Sequence, residues 1–211
     1  MLRKNSLFIL LFVFLLGMQS RAQEYLIESK SVTIIYEEPG LSKNQIYTKA
    51  LAWFSNQESS SVFTVETSFK EAGSIVVNEV NQVFYMNIGT LMYPSRSGMA
   101  ELLSADFEYR IEMTIEDGSY LVVYTLTGMK KEMYGRDDLF LNCIDFEEID
   151  ETALEEYNKS MDKLLKMNAV FKKRRGIFLD NSKFQFEDVS QNILSGMTSN
   201  MSSLNSFVTS N

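Results

Sequence analysis

The sequence predicts an α+β fold: one curved antiparallel sheet with two helices packed on its apolar face, in the order β-α-β-β-β-β-α. Three observations predict it. Apolar and polar residues alternate without a break from Leu103 to Glu116, which marks a long strand with one buried and one wet face. Asp117-Gly118 follows, the favoured pair for a tight hairpin turn that needs positive φ. Finally, two apolar stripes of helical period, each with a start signal, flank the block of strands.

The elements follow in order. Val32, Ile34 and Tyr36 alternate with Thr33 and Ile35, so Ser31–Glu37 reads as a strand closed by Pro39-Gly40. Ser42 is then an N-cap, with Gln45 completing a capping box and Leu41 and Ile46 placed as a hydrophobic staple. Ile46, Ala50, Trp53 and Phe54 share one face of the helix that follows. Phe63 and Val65 mark a short strand and Gly73 a turn. Ser74 to Tyr93 is extended chain whose imperfect alternation suggests a bulge. After the long strand and its turn, Tyr120, Val122, Tyr124 and Leu126 line one face of the return strand. Asp150 caps a second helix with the stripe Leu154, Tyr157, Met161, Leu164, Leu165 and Phe171. Lys172–Arg175 fall in its last turn, where cations suit the helix dipole, and Gly176 lies just beyond its end.

These elements place the domain at residues 23–176. From 177 to 211 serine and asparagine dominate, and the segment reads as a C-terminal tail. Phe186, Val189, Ile193 and Met197 keep a helical rhythm there, but among residues of low helix propensity. Two readings stay open, a marginal amphipathic helix that docks on a partner and a mostly disordered tail. On the first, those four side chains are the partner-facing surface.

The N-terminus reads as an address. Arg3 and Lys4 precede an apolar run from Leu7 to Met18, and Ser20 and Ala22 are the small residues of a cleavage site. At roughly 12 residues the run is short of the ~20 a spanning helix needs. Residues 1–22 are therefore expected to be a signal peptide. No cysteine follows to carry a lipid anchor, so the mature protein is expected to be periplasmic or secreted.

Charge and composition exclude several functions. Loss of Arg3, Lys4 and Arg21 from 20 basic residues, against 28 acidic ones, moves the formal net charge from −8 to −11. A surface that acidic is expected to repel phosphate backbones and anionic lipid headgroups at long range, which disfavours nucleic acid as a partner. The chain has no histidine, hence no Ser-His or Cys-His pair and no histidine metal ligand. Its single cysteine, Cys143, lies among apolar neighbours and is expected to be a buried, inert thiol. No glycine loop suited to phosphates occurs, and no cofactor is expected.

Three stretches resemble a known family: Pro39-Gly40-Leu41-Ser42 leading into a helix with Tyr47, Ala50 and Trp53; Gly73-Ser74-Ile75; and Ile115-Glu116-Asp117-Gly118-Ser119-Tyr120. In these the chain, from about Ser31 to Lys130, resembles a domain of unknown function with a TATA-binding-protein-like fold, frequent in exported proteins of Bacteroidota-type bacteria. The resemblance implies topology and carries no implication of DNA binding.

Candidate sites are few. Ser160-Met161-Asp162-Lys163 has serine–lysine spacing but lies in a helix and lacks companion motifs. The acids from Asp137 to Glu156 lack the alternation and glycine of a calcium loop. Lys172–Arg175 is explained by the helix end rather than by a membrane surface. A curved sheet under helices can enclose an apolar cavity, which Trp53, Tyr109, Met113, Tyr120 and Tyr124 would line. The expected function is a noncatalytic exported binding module for a protein partner or an apolar small molecule. The alternative is a carboxylate-dependent hydrolase of envelope glycans or esters, using Asp106, Glu108 or Glu112 on the wet strand face.

Overall fold

A computed structural model describes residues 24–56, 61–130 and 137–210. The expected signal peptide lies outside the described residues. Six antiparallel strands form one open sheet in the order β1-β2-β6-β5-β4-β3: β1 (Leu26–Glu28), β2 (Ser31–Glu37), β3 (Val62–Phe69), β4 (Ser74–Met86), β5 (Leu102–Glu116) and β6 (Ser119–Met129). The helices are α1 (Lys43–Ser55), α2 (Ile88–Met92), α3 (Asp137–Asn142), α4 (Glu151–Met167) and α5 (Arg175–Thr209), with a 3-10 turn at Lys172–Arg174. The predicted α+β architecture, with one antiparallel sheet, is that of the molecule; β1, α2, α3 and α5 are additional to the expected β-α-β-β-β-β-α order.

The hairpin forms where expected. Ile115 faces Tyr120 across it, and Gly118 has φ +78°. Three turns distant in sequence meet at this end of the sheet. Glu38 N–H donates to the Gly118 carbonyl (2.7 Å), Gly118 N–H to Leu41 (2.9 Å), and Ile115 N–H to Gly73 (2.7 Å). The Asp117 carboxylate accepts from the Lys43 N–H at 2.7 Å, at the first turn of α1, whose capping box is present. A Cβ on Gly73 would collide with the Ile115 carbonyl oxygen, so that close approach requires glycine. The resemblance motifs are thus one spatial cluster that fixes α1 against the hairpin.

In β4, Ile75, Val77, Val83 and Tyr85 are buried in strict period two. The imperfect alternation arises because polar Glu79 continues this buried series. The strand ends at Met86 and α2 replaces its expected extension to Tyr93. The bulges lie elsewhere, at Val65/Thr67 of β3 and Glu108/Tyr109 of β5.

The second covering helix is not the expected one. α4 ends at Met167, well before Arg175, and packs on α3 and α5 rather than on the sheet. The sheet is covered by α1 and by α5, the segment read as a tail. α5 is continuous over 35 residues, roughly 52 Å at 1.5 Å per residue. Phe186, Val189, Ile193, Met197, Met201, Leu204 and Val208 are each at most 2% exposed. Tertiary burial overrides the poor intrinsic propensity, so the domain boundary near 176 disappears. Residues 177–209 contribute core rather than a separable tail.

Polar side chains of α5 also meet the backbone of β4. β3 pairs with β4 only over Ser74–Val80. Farther along, Asp188 accepts from Met86 N–H (2.7 Å), Gln185 donates to the Met86 carbonyl (2.7 Å) and Asn192 to that of Phe84 (3.0 Å). Such contacts blunt a strand edge that would otherwise invite pairing.

Candidate functional site

The two faces of the sheet differ in kind. On the core face, Trp53, Tyr109, Met113, Tyr120 and Tyr124 do come together, each no more than 4% exposed. They line no useful cavity: the space left among Trp53, Tyr124, Met201 and Leu204 is about 10 Å3, barely the volume of one water. α5 fills it. Phe186, expected to face a partner, instead sits at 4.9 Å centroid distance from both Phe140 and Tyr157. Val189, Ile193 and Met197 are likewise interior. Both expectations are corrected by one cause, since the stripe proposed for a partner occupies the space proposed for a ligand.

The serines and asparagines of α5 complement the polar atoms of that aromatic face. Tyr120 Oη donates to Asn205 Oδ1 at 2.7 Å, and Asn200 Nδ2 donates to Tyr124 Oη at 3.2 Å. Trp53 Nε1 donates to Ser203 Oγ at 3.4 Å. Buried tyrosine and tryptophan need such partners.

Glu79 was not anticipated as a special residue. It is 1% exposed, on the core face of β4 beneath α5. Asn200 Nδ2 donates to its Oε1 (3.2 Å), while Oε2 has no hydrogen-bond partner among the described residues. Burial pushes its pKa up to about 7, against the opposing pull of hydrogen bonds from Ser61 and Asn200. Tyr109 is raised as well, by burial first and then by the Glu79 charge. The signal was readable in principle: a glutamate in phase with Ile75, Val77, Val83 and Tyr85 belongs to the buried series.

Other candidates find structural roles. Asp145 Oδ1 accepts from the backbone N–H of Glu147 and Glu148, and Asp150 caps α4. Among the described residues no group of carboxylates and cysteine could hold a metal ion. Cys143 is fully buried, and burial pushes its thiol up to about 12. Ser160 is buried within α4, and Lys163 is exposed on that helix. The run Lys172–Arg175 leads into the N-terminus of α5, so it does not serve the helix end that was expected to explain it. Among the described residues no helix is long and apolar enough to cross a membrane.

Among the described residues no helix covers the opposite face. Ile35, Val62 and Phe69 point there, each at least 60% exposed. Over β3–β6 this face dips into a groove of about 560 Å3, lined by Val62, Thr64, Val80, Asp106, Glu108 and Lys130. Arg110 spans Glu66 (2.6 Å) and Glu112 (3.0 Å), and Lys130 Nζ lies 4.0 Å from Glu108. The groove therefore joins an apolar side, toward β3, to a carboxylate side along β5. It is the candidate site.

Comparison with known proteins bears on the fold. No curated protein matches the chain. Two solved structures are similar to it. One is a DUF4468 family protein from Bacteroides ovatus ATCC 8483, at 20% identity over 50% of this chain and TM-score 0.35. The match spans 58% of that protein's length. The other is a TBP-like protein from Parabacteroides distasonis ATCC 8503, at 17% identity over 77% of this chain and 92% of that one, also with TM-score 0.35. Residues 33–130 match the model of the family described as domain of unknown function (DUF4468) with TBP-like fold.

Proposed function

We propose that the protein is a noncatalytic binding module, exported to the cell envelope or beyond, whose uncovered sheet face grips a protein partner. One observation carries the reading: the same sheet is sealed on one face and left open, grooved and partly apolar on the other. The groove volume falls within the roughly 300–1,000 Å3 of ligand sites. Asp106, Glu108, Glu112 and Glu116 of β5 project from the open face against Arg110 and Lys130. That balance favours a polypeptide presenting basic residues beside apolar ones, and it disfavours a phosphate backbone. The apolar small molecule loses its rationale along with the interior cavity. Hydrolysis draws little support, because Glu112 and Glu108 have cationic neighbours and do not stand as a free acid–base pair.

Photo-crosslinking in the producing cell tests this. A crosslinking residue at position 80, in the groove, should give discrete adducts with a polypeptide. Asp106→Lys with Glu108→Lys should abolish them, and the same probe at exposed position 155 on α4 should give none. Absence of a discrete adduct at position 80 overturns the reading, as does turnover of a glycan or ester panel lost in Glu108→Gln.

A further inference from the structure

At the junction of α4 and α5 lies a patch unlike the rest of this acidic molecule. Six of the chain's 20 basic residues fall within positions 163–175, with no acid among them. Their placement removes the ordinary explanation. Lys172 and Lys173 lie just ahead of the N-terminus of α5, the positive end of a 35-residue dipole. Neither ammonium has a partner among the described residues, and the first turn of α5 has no side-chain cap. The cations are held where the helix itself disfavours them.

Apolar side chains project from the same place. Met167 is 83% exposed and Val170 57%, the former among the most exposed large apolar residues of the described chain. The patch is braced from beneath. Arg174 donates to the Met92 carbonyl and stacks 4.8 Å over the Tyr93 ring, and Tyr93 donates to the Val170 carbonyl and contacts Phe171 edge-on at 6.0 Å. Asp162, the nearest acid on α4, is engaged by both Lys166 and Arg175. What remains outward is two apolar side chains between unpaired lysines.

We propose that this junction docks the protein on an anionic lipid surface, with Met167 and Val170 entering the headgroup boundary and Lys172 and Lys173 pairing with lipid phosphates. Apolar insertion combined with local cations is the chemistry of peripheral membrane binding. The net negative charge does not forbid it. Screening acts over about 8 Å at physiological salt, so the surface meets the local patch rather than the whole molecule. The open sheet face plays no part in this contact and stays available.

The test is co-sedimentation with vesicles, using protein purified as the producing cell processes it. Vesicles of phosphatidylcholine alone should bind little, and those containing phosphatidylglycerol should bind in a salt-sensitive way. Lys172→Glu with Lys173→Glu should weaken that binding by about tenfold or more. Met167→Ser with Val170→Ser should weaken it while preserving the salt dependence. Lys70→Glu with Lys159→Glu, which changes net charge equally away from the junction, should leave it intact. All four lysines are exposed, so circular dichroism should show folded variants. Failure to bind anionic vesicles overturns the proposal, as does an equal loss in the Lys70/Lys159 variant. Displacement by soluble glycerol phosphate would reveal a phosphate site without a surface. Tighter binding to polyglutamate than to vesicles would assign the patch to an acidic protein. Either result also overturns it.

Discussion

α4 and α5 are opposites in sequence and in place. α4 is well written, with an Asp150 cap, a clean stripe and a Glu155–Lys159 pair at 3.3 Å, yet it packs outside, against another helix. α5 lacks a cap and is rich in serine and asparagine, yet it seals the sheet. A helix that must hold itself against solvent carries its signals locally. A helix buried along its length can draw its stability from residues far away in sequence, and its polar side chains then answer distant polar atoms rather than water.

Truncation after Asn181 breaks the comparison most sharply. It removes Phe186, Val189, Ile193, Met197, Met201, Leu204 and Val208, each worth roughly 1.5–3 kcal/mol of burial. The sum is comparable to the whole 5–15 kcal/mol typical of a domain. We expect no cooperative thermal transition by circular dichroism. A truncated chain that melts near the intact protein would return the segment to the status of a tail.

Single substitutions sharpen it. Phe186→Ala should cost about 3–5 kcal/mol in urea unfolding, at the centre of the aromatic cluster. Leu165→Ala on α4, 8% exposed, should cost less, nearer about 2 kcal/mol. Equal losses would mean that α4 is as central as α5.

A further effect is graded rather than abrupt, because it is tied to pH. Burial raises the folded pKa of Glu79 to about 7 from its ordinary 4.5. Its contribution is therefore fully present below pH 4.5 and is lost as pH rises through 7. The full swing is roughly 3 kcal/mol. Stability measured by urea unfolding should decline across this window, and Glu79→Gln should flatten that decline. A profile unaltered by Glu79→Gln would place the carboxyl in contact with water.

Much of the fold was legible where the information is local. Leu103 to Thr127 announces its hairpin because each residue's exposure follows from its parity and its turn from Asp117-Gly118. α1 announces itself through Ser42 and Gln45. α5 was misread because its asparagines resemble those of a disordered tail. Asn200 and Asn205 have their partners on Glu79, Tyr120 and Tyr124, so composition alone could not reveal the pairing. Lys172–Arg175 were assigned to a helix end because the apolar stripe of α4 extends on to Phe171, past the point where the helix stops. The candidate groove was invisible for another reason. Periodicity tells which side of a strand is wet, but not whether the wet side is covered, flat or hollowed.

α5 follows every strand in sequence, and that order sets when the sheet can be sealed. β2 pairs with β6 from nearly a hundred residues away, and the aromatic face they share stays unsealed until the last turns near Val208 have emerged. Contacts of such long sequence separation form slowly. Until α5 has formed, Tyr120 and Tyr124 therefore lack the asparagines that satisfy them. The aromatic face closes late.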